Sequence, residues 1–471
     1  MTALRRAVAV SLVLPLIACF VLALVAGRLN STLLNPEFVK QQARDLRLYE
    51  RLHDDGTHHL VRQLLDEPGK RPANLRAIDL PTDRKAEDGF ARLIQSFLPA
   101  SFIQVETEEA IDEVLPWLAG KDDHFTLHLS LHEGLTRTFG HPTPGQASTF
   151  ERTWRDLGMG ERTVVSLAQS YDRNPDNAGK PVPGAPTGAR GVASVIEANR
   201  QAAGIWFDQQ WFGVIDQAVP YLAGDAKSMD ARISFATFPM LAGPFSSVLH
   251  VPPEQLAAQG WRLTDADLKK QLGNASNPTL SRSDNTIALF TRQGGTLTDG
   301  DLIARYDRQR AKGAADGKPV EGPSITEVRS IFNRVRLAGL YGAPFVCLLL
   351  VMAIAFLGGR TWPSRLAWGS AGLLVAAAIA LGGTTAIYRL AASGPLDRWV
   401  DEERTRPASG FISADLRVNL AEQVRKVAGE QADRASLNAS AWLIVAMGGL
   451  AGGLTWERVA NRRHTRGGAT A

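Results

Sequence analysis

The chain has 471 residues, 45% of them apolar and 21% charged, with a mean hydropathy of −0.09. That composition excludes collagen, a disordered tail and a small disulfide scaffold, and the length allows roughly two or three domains. The formal charge of +4 would suit a nucleic-acid binder, but its distribution along the chain argues for a different solvent.

The apolar residues are segregated into four uncharged stretches, Ala7–Gly27, Leu337–Gly359, Leu366–Tyr388 and Ala435–Trp456, each of 21 to 23 residues. At about 1.5 Å of helical rise per residue, each can cross a hydrocarbon layer about 30 Å thick. A four-helix transmembrane bundle in the lipid bilayer is therefore expected. With the N-terminus inside, the cytoplasmic segments hold eight basic residues (Arg5, Arg6, Arg360, Arg365, Arg458, Arg462, Arg463, Arg466) against Glu457 alone. Removing these from totals of 52 basic and 48 acidic residues leaves 44 against 47, so all the excess positive charge is cytoplasmic. The positive-inside rule then predicts an integral membrane protein with both termini cytoplasmic. It gives a large extracytoplasmic domain at 28–336, a second outside loop at 389–434 and a basic tail at 457–471. No nucleic-acid partner is expected.

The first span follows Arg5 and Arg6, and Leu16-Ile-Ala-Cys19 matches a bacterial lipobox. Phe20-Val-Leu-Ala-Leu-Val25 continues apolar where a lipidated cysteine would open a polar tether, so an uncleaved anchor is expected. The other cysteine, Cys347, also lies in a span, leaving the outside domain without a disulfide.

Beyond the first span, Asn35-Pro36-Glu37 has the form of a helix start, and the helix is predicted to run to about Leu52. Further helices are expected around 60–65 and 86–98. Ile111-Asp-Glu-Val-Leu-Pro-Trp-Leu-Ala-Gly120 then aligns on Ile215-Asp-Gln-Ala-Val-Pro-Tyr-Leu-Ala-Gly224 at an offset of 104, with six of ten positions identical. After each glycine the apolar period changes from 3.6 to 2: Phe125, Leu127, Leu129 and Leu131 in one copy, Met229, Ala231, Ile233 and Phe235 in the other. The expectation is an α+β extracytoplasmic domain built on an internal helix-Gly-strand repeat, with copies at about 102–135 and 206–239. Pro116, Gly120, Pro220 and Gly224 stand at the hinges of the repeat, and 172–190 is a linker. Downstream, helices are expected near 253–259 and 265–272, a strand at 286–292 and a helix opening at Thr298. Ser324-Ile-Thr-Glu327 is spaced as a capping box opening a stalk helix that runs unbroken into the second span. In the second outside loop, Leu416, Leu420, Val424 and Val427 follow Ser413 at the spacing of an amphipathic helix.

Chemistry is sparse. His124, His128 and His132 lie on a predicted strand, where residues four apart sit about 13 Å from each other, too far for one ion. His53-Asp54-Asp55 with His58-His59 reads as polar linker, and Asp172, Asn174 and Asp176 lack the glycine and glutamate of a calcium loop. The spans hold no Asp, Glu, Lys, Arg or His, which weighs against a transporter, pump or intramembrane hydrolase. Gly448, Gly449, Gly452 and Gly453 form two overlapping small-xxx-small pairs, expected to pack the bundle and also able to support a homodimer. No catalytic residue, cofactor or metal ligand is assigned.

Leu33-Leu-Asn-Pro-Glu-Phe-Val-Lys40, Tyr49-Glu-Arg-Leu52 and the Pro-aromatic-Leu-x-Gly-strand unit resemble a family of uncharacterised bacterial multi-pass membrane proteins with a large extracytoplasmic domain. The resemblance implies the topology and no activity. The order of spans is also similar to ABC-type permeases of the lipoprotein-release and macrolide-export kind. The connection at Gly358–Arg365 is too short for the coupling helix that such permeases present to an ATPase. The leading expectation is a non-enzymatic membrane protein whose outside domain binds a protein partner or envelope ligand. A mechanotransmission permease and an extracytoplasmic hydrolase are the alternatives.

Overall fold

The computed structural model describes residues 2–32, 34–67, 78–143, 145–174, 177, 191–274, 287–315, 324–387, 393–406 and 413–467. Four helical segments are long and apolar enough to cross a membrane: Arg5–Arg28, Ile325–Gly358, Trp362–Gly383 and Ala414–Trp456. They overlap the four stretches read from composition and are compatible with a membrane protein.

The first span comprises α1 (Thr2–Ser11) and α2 (Val13–Ser31), separated where Pro15 cannot donate to the Ser11 carbonyl. Asn35 caps α3 (Pro36–Asp45) by accepting from the Glu37 amide. The helix expected to reach Leu52 is broken at Arg47, whose φ of 49° starts α4 (Leu48–Arg51) in a new direction. A π-turn at Leu52–Gly56 and α5 (Thr57–Asp66) follow without a linker, so the histidines near residue 58 are helical. The inter-span domain continues with α6 (Arg84–Phe97), α7 (Ala100–Leu118), β1 (Thr126–Leu129), α8 (His132–Phe139), α9 (Thr149–Asp156), α10 (Met159–Arg173) and α11 (Val192–Ala198). Then come α12 (Arg200–Ala223), β2 (Asp230–Ile233), α13 (Ala242–Leu249), α14 (Pro253–Gln259), β3 (Trp261–Thr264), α15 (Asp265–Asn274), β4 (Gly295–Thr298) and α16 (Asp299–Ala315).

The α+β expectation is met only coarsely, because this domain is mostly helical. Its described strands are four residues long and pair as two separate antiparallel ribbons, β1 with β4 and β2 with β3. The two strands of the proposed repeat therefore share no sheet. The strand expected at 286–292 is also absent: the described residues 287–290 are helical or turn, and the strand comes later, at Gly295–Thr298. Most of the linker at 172–190 lies outside the described residues.

The segments around both glycines nevertheless adopt parallel local geometry. Pro116 and Pro220 lie inside helices whose next turn ends on a left-handed glycine, Gly120 with φ 66° and Gly224 with φ 79°. In each, the proline carbonyl accepts from the residue after the glycine, Lys121 at 2.9 Å and Asp225 at 2.8 Å. That is the bond pattern of a Schellman end, which a side chain at the glycine would strain. The main core surrounds α12, where Trp206 and Phe207 pack with Phe235, Phe245 and Leu256.

The chain returns to the bundle through α17 (Ile325–Leu337), a π-turn at Ala338–Gly342 and α18 (Ala343–Gly358), forming one continuous helix. Its capping box is present: Ser324 accepts from the Glu327 amide at 3.2 Å and donates its own amide to the Glu327 carboxylate at 2.7 Å. The third span is α19 (Trp362–Ile387). After α20 (Ser393–Thr405), the amphipathic helix and the fourth span prove to be one element, α21 (Ala414–Gly467), with Ser413 at its cap. The apolar face of α21 before the span lies against α20, burying Leu416, Ala421 and Val400. Inside the bundle, Leu16, Ile354, Ala376, Ala377, Ala380 and Ala439 are buried, while Leu14, Phe345, Leu437 and Ile444 face outward.

Of the four glycines in the last span, two touch a neighbour. A Cβ on Gly453 would lie 2.9 Å from the Ala367 amide and the Pro363 carbonyl, and one on Gly449 would overlap the Ser370 hydroxyl. A Cβ on Gly448 or Gly452 would meet nothing within 4 Å among the described residues. Gly453→Val is therefore expected to destabilise the detergent-solubilised protein by about 1–3 kcal/mol, read as a lower melting temperature, whereas Gly452→Val leaves the melt unchanged.

Candidate functional site

The inter-span domain meets the stalk at the end of α7. A helix C-terminus leaves carbonyls without intrahelical donors, and water usually satisfies them. Here two arginines of α17 add donors to a turn whose Trp117 carbonyl already accepts from the Gly120 amide at 3.0 Å. Arg329 donates from Nε to the Trp117 carbonyl at 3.0 Å and from Nη2 to Asp122 and Asp123 at 2.8 and 3.3 Å. Arg336 donates to the Gly120 carbonyl at 3.0 Å. Positive charge at this end also interacts favourably with the negative end of the helix dipole. The Arg329 guanidinium sits 5.2 Å from the centroid of the buried Trp117 ring, which packs edge-on against Phe125. Between the arginines, Asn333 occupies the space a Cβ on Gly120 would need. Residues 329, 333 and 336 fall at helical spacing, so one face of the stalk makes every contact.

The other side of α7 is held by α3. Lys40 is buried and pairs with Asp112 at 2.8 Å, and Arg44 forms a two-point pair with Glu108, its Nε at 2.7 Å. The Arg44 guanidinium, with help from Gln104, holds the Glu108 carboxyl down to about 2. Helix α7 is thus fastened to the elements that leave the first span and enter the second.

Away from that junction lies an apolar cavity of about 420 Å³, lined by Val61, Leu65, Leu93, Phe97, Phe139 and Trp154 among others. Its volume is within the range of small-molecule pockets, roughly 300–1,000 Å³. Next to its Phe139 and Phe150 in sequence stand His141 and Glu151, which converge with Asp216 of α12. His141 Nδ1 is 2.7 Å from the Gln146 carbonyl, and its Nε2 is 2.8 Å from Asp216 and 3.9 Å from Glu151. The Gln146 carbonyl and then the Asp216 carboxylate hold the His141 pKa above its ordinary value. Nearby, burial raises the Asp208 carboxyl although it accepts from Trp154 Nε1 at 2.8 Å.

The histidines considered from sequence are placed apart. His124 is exposed and meets Asp299 at 3.1 Å, His128 is exposed on β1, and His132 opens α8. His53 pairs with its neighbour Asp54 at 2.7 Å and His58 lies 3.5 Å from Glu87. Asp172 accepts from the Val192 and Ala193 amides and so caps α11, while Asp176 lies outside the described residues. Among the repeat residues, Gly120 faces the stalk, whereas Gly224 faces Thr291 at 3.4 Å.

Sequence reading missed the stalk arginines, the His141 cluster and a second similarity. Gly260-Trp-Arg-Leu-Thr-Asp-Ala-Asp-Leu268 recurs as Gly294-Gly-Thr-Leu-Thr-Asp-Gly-Asp-Leu302, an offset of 34 readable without structure. These residues form β3 with the start of α15 and β4 with the start of α16. In both, the threonine amide donates to the second aspartate at 3.1 Å. The arginines and the His141 cluster carried no such signal, since each contact spans a long separation or joins unrelated motifs.

Comparison with protein-family models, curated proteins and solved structures finds no match for this chain.

Gly120→Ala and Gly224→Ala both force a side chain into positive φ, but only the first also displaces Asn333. Gly120→Ala is thus expected to lower the melting temperature more, and in the Asn333→Gly background the two costs converge. The depressed Glu108 carboxyl gives a second test. Its ionised form stabilises the fold above the ordinary value of 4.5, and that stability is lost as pH falls toward about 2. The gap in melting temperature between wild type and Glu108→Gln is expected to be full at pH 7 and to narrow steadily below pH 4.5.

Proposed function

We propose that this chain is a non-enzymatic bacterial plasma-membrane protein, with both termini cytoplasmic, whose extracytoplasmic domain binds a partner or envelope ligand and conveys that state to the four-helix bundle. The observation that carries the reading is the junction of Arg329, Asn333 and Arg336 with the end of α7, because it ties a large domain rigidly to a helix entering the membrane. The absence of charge within the spans supports a bundle that moves rather than one that conducts. The apolar cavity beside α6 supports the binding half of the proposal. We read the two helix-Gly-strand segments as copies of one unit, the first of which has taken on the stalk contact.

The permease alternative has less support. Only Gly359, Arg360 and Thr361 separate α18 from α19, which leaves no helix for a cytoplasmic ATPase to grip. The hydrolase alternative draws on His141, yet among the described residues no serine, threonine or cysteine hydrogen-bonds to its ring.

The test is photo-crosslinking in intact cells, with a benzophenone amino acid at Leu93 in the cavity or at the exposed Val105 of α7. An adduct with a lipid or envelope protein is expected from at least one position. Recovery of the bare chain from both, or a C-terminal tag cleavable by protease from outside, overturns the proposal.

A further inference from the structure

We propose that His141, Glu151 and Asp216 bind one divalent transition-metal ion, with Zn²⁺ the best match to the donor set. One ligand atom from each residue lies within 4.8 Å of the other two. Two tetrahedral ligands on zinc are about 3.4 Å apart, given bonds of roughly 2.0–2.2 Å. The His141 Nε2 separations of 2.8 Å to Asp216 and 3.9 Å to Glu151 bracket that value. Small rotations of these side chains bring all three onto one ion.

Glu151 is the second observation. Its side chain is only 8% exposed, and His141, at 3.9 Å, is its one ion-pair partner among the described residues. Burial of a carboxylate with no donor is costly, and it is the arrangement a cation relieves. Local sequence offered Glu151 another partner. Ser148-Thr-Phe-Glu151 has the same capping-box spacing as Ser324–Glu327, and the Ser148 hydroxyl does accept from the Glu151 amide at 3.1 Å. At Ser324 the glutamate completes the box, whereas the Glu151 carboxylate turns away from Ser148 toward His141 and Asp216.

His141 is oriented as a ligand. Nδ1 meets the Gln146 carbonyl, an acceptor only, so Nδ1 carries the hydrogen and Nε2 faces the carboxylates. The imidazole and Asp216 side chains are 37% and 45% exposed, which leaves an entry path and room for water as a further ligand. One imidazole and two carboxylates suit Zn²⁺ better than Mg²⁺ or Ca²⁺, which take oxygen ligands. The competing account is that a protonated His141 alone balances the two carboxylates. The proposal does not depend on the function assigned above.

The full chain in detergent, stripped with a chelator and dialysed, is titrated with ZnCl₂ by calorimetry, with the visible absorption of added Co²⁺ as a second readout. Wild type is expected to bind one ion that His141→Gln and Asp216→Asn bind at least about tenfold more weakly, with loss of the Co²⁺ bands. His124→Gln, at an 83% exposed imidazole away from the cluster, leaves binding intact. Both main substitutions are at part-exposed side chains, and their melts without metal verify folding. Absence of wild-type binding, or equal binding by wild type and His141→Gln, overturns the site and leaves the protonated histidine as its occupant.

Discussion

The structure depends on how the carbonyls at the end of α7 are satisfied. Any helix end could leave them to the glycine turn and water, but here Arg329 and Arg336 add donors from the stalk helix α17. The opposite flank of α7 is pinned by Lys40 and Arg44 from the helix that follows the first span. One helix therefore carries both attachments. An exposed ion pair alone would be a weak tether. This one is stiffened because Trp117 is buried beneath Arg329 and Asn333 fills the space left by Gly120.

The two glycine turns show how similar sequences diverge by context. Both end a helix in the same left-handed turn, but their outer faces meet different partners. Gly224 approaches Thr291, whose carbonyl also accepts from Ser130 just after β1, at 2.7 Å. The short segment before β4 therefore touches both units, and Arg292 lies 3.8 Å from Asp225. The first unit is bonded to the stalk, and the second meets the first through this segment before β4.

What was legible in the sequence was local or compositional. The spans stood out because lipid tolerates no scattered charge over about 20 residues. The caps at Asn35 and Ser324 stood out because a side chain satisfies a backbone donor two or three residues away. Alternation at Phe125–Leu131 and Met229–Phe235 located strands correctly but overstated the sheet. The four-residue strands pair only as two ribbons, and of β1 and β2 only β2 buries one face. Arg47 breaks a helix that periodicity continued, since no breaker residue marks the left-handed turn. The bond from Arg329 to Trp117 joins positions 212 apart, and no periodicity encodes a partner at that distance. For the same reason nothing in the sequence joins His141 to Asp216, which stand 75 positions apart.

The π-turn at Ala338–Gly342 sits where stalk becomes span. One residue added to a helical turn rotates everything beyond it by about 100° relative to an uninterrupted α-helix. The face that Arg329, Asn333 and Arg336 present to α7 is thereby set independently of the face that Cys347 and Ile354 bury in the bundle. Within the turn, Gly339 meets Ala26 so closely that no side chain would fit, bringing the backbones of the first two spans together. Close backbone contact between small residues is how helices hold each other in lipid, where apolar burial gives no preference for protein over acyl chain. The wider helical turn thus lies where the first two spans cross, between the stalk face that contacts α7 and the face that packs in the bundle.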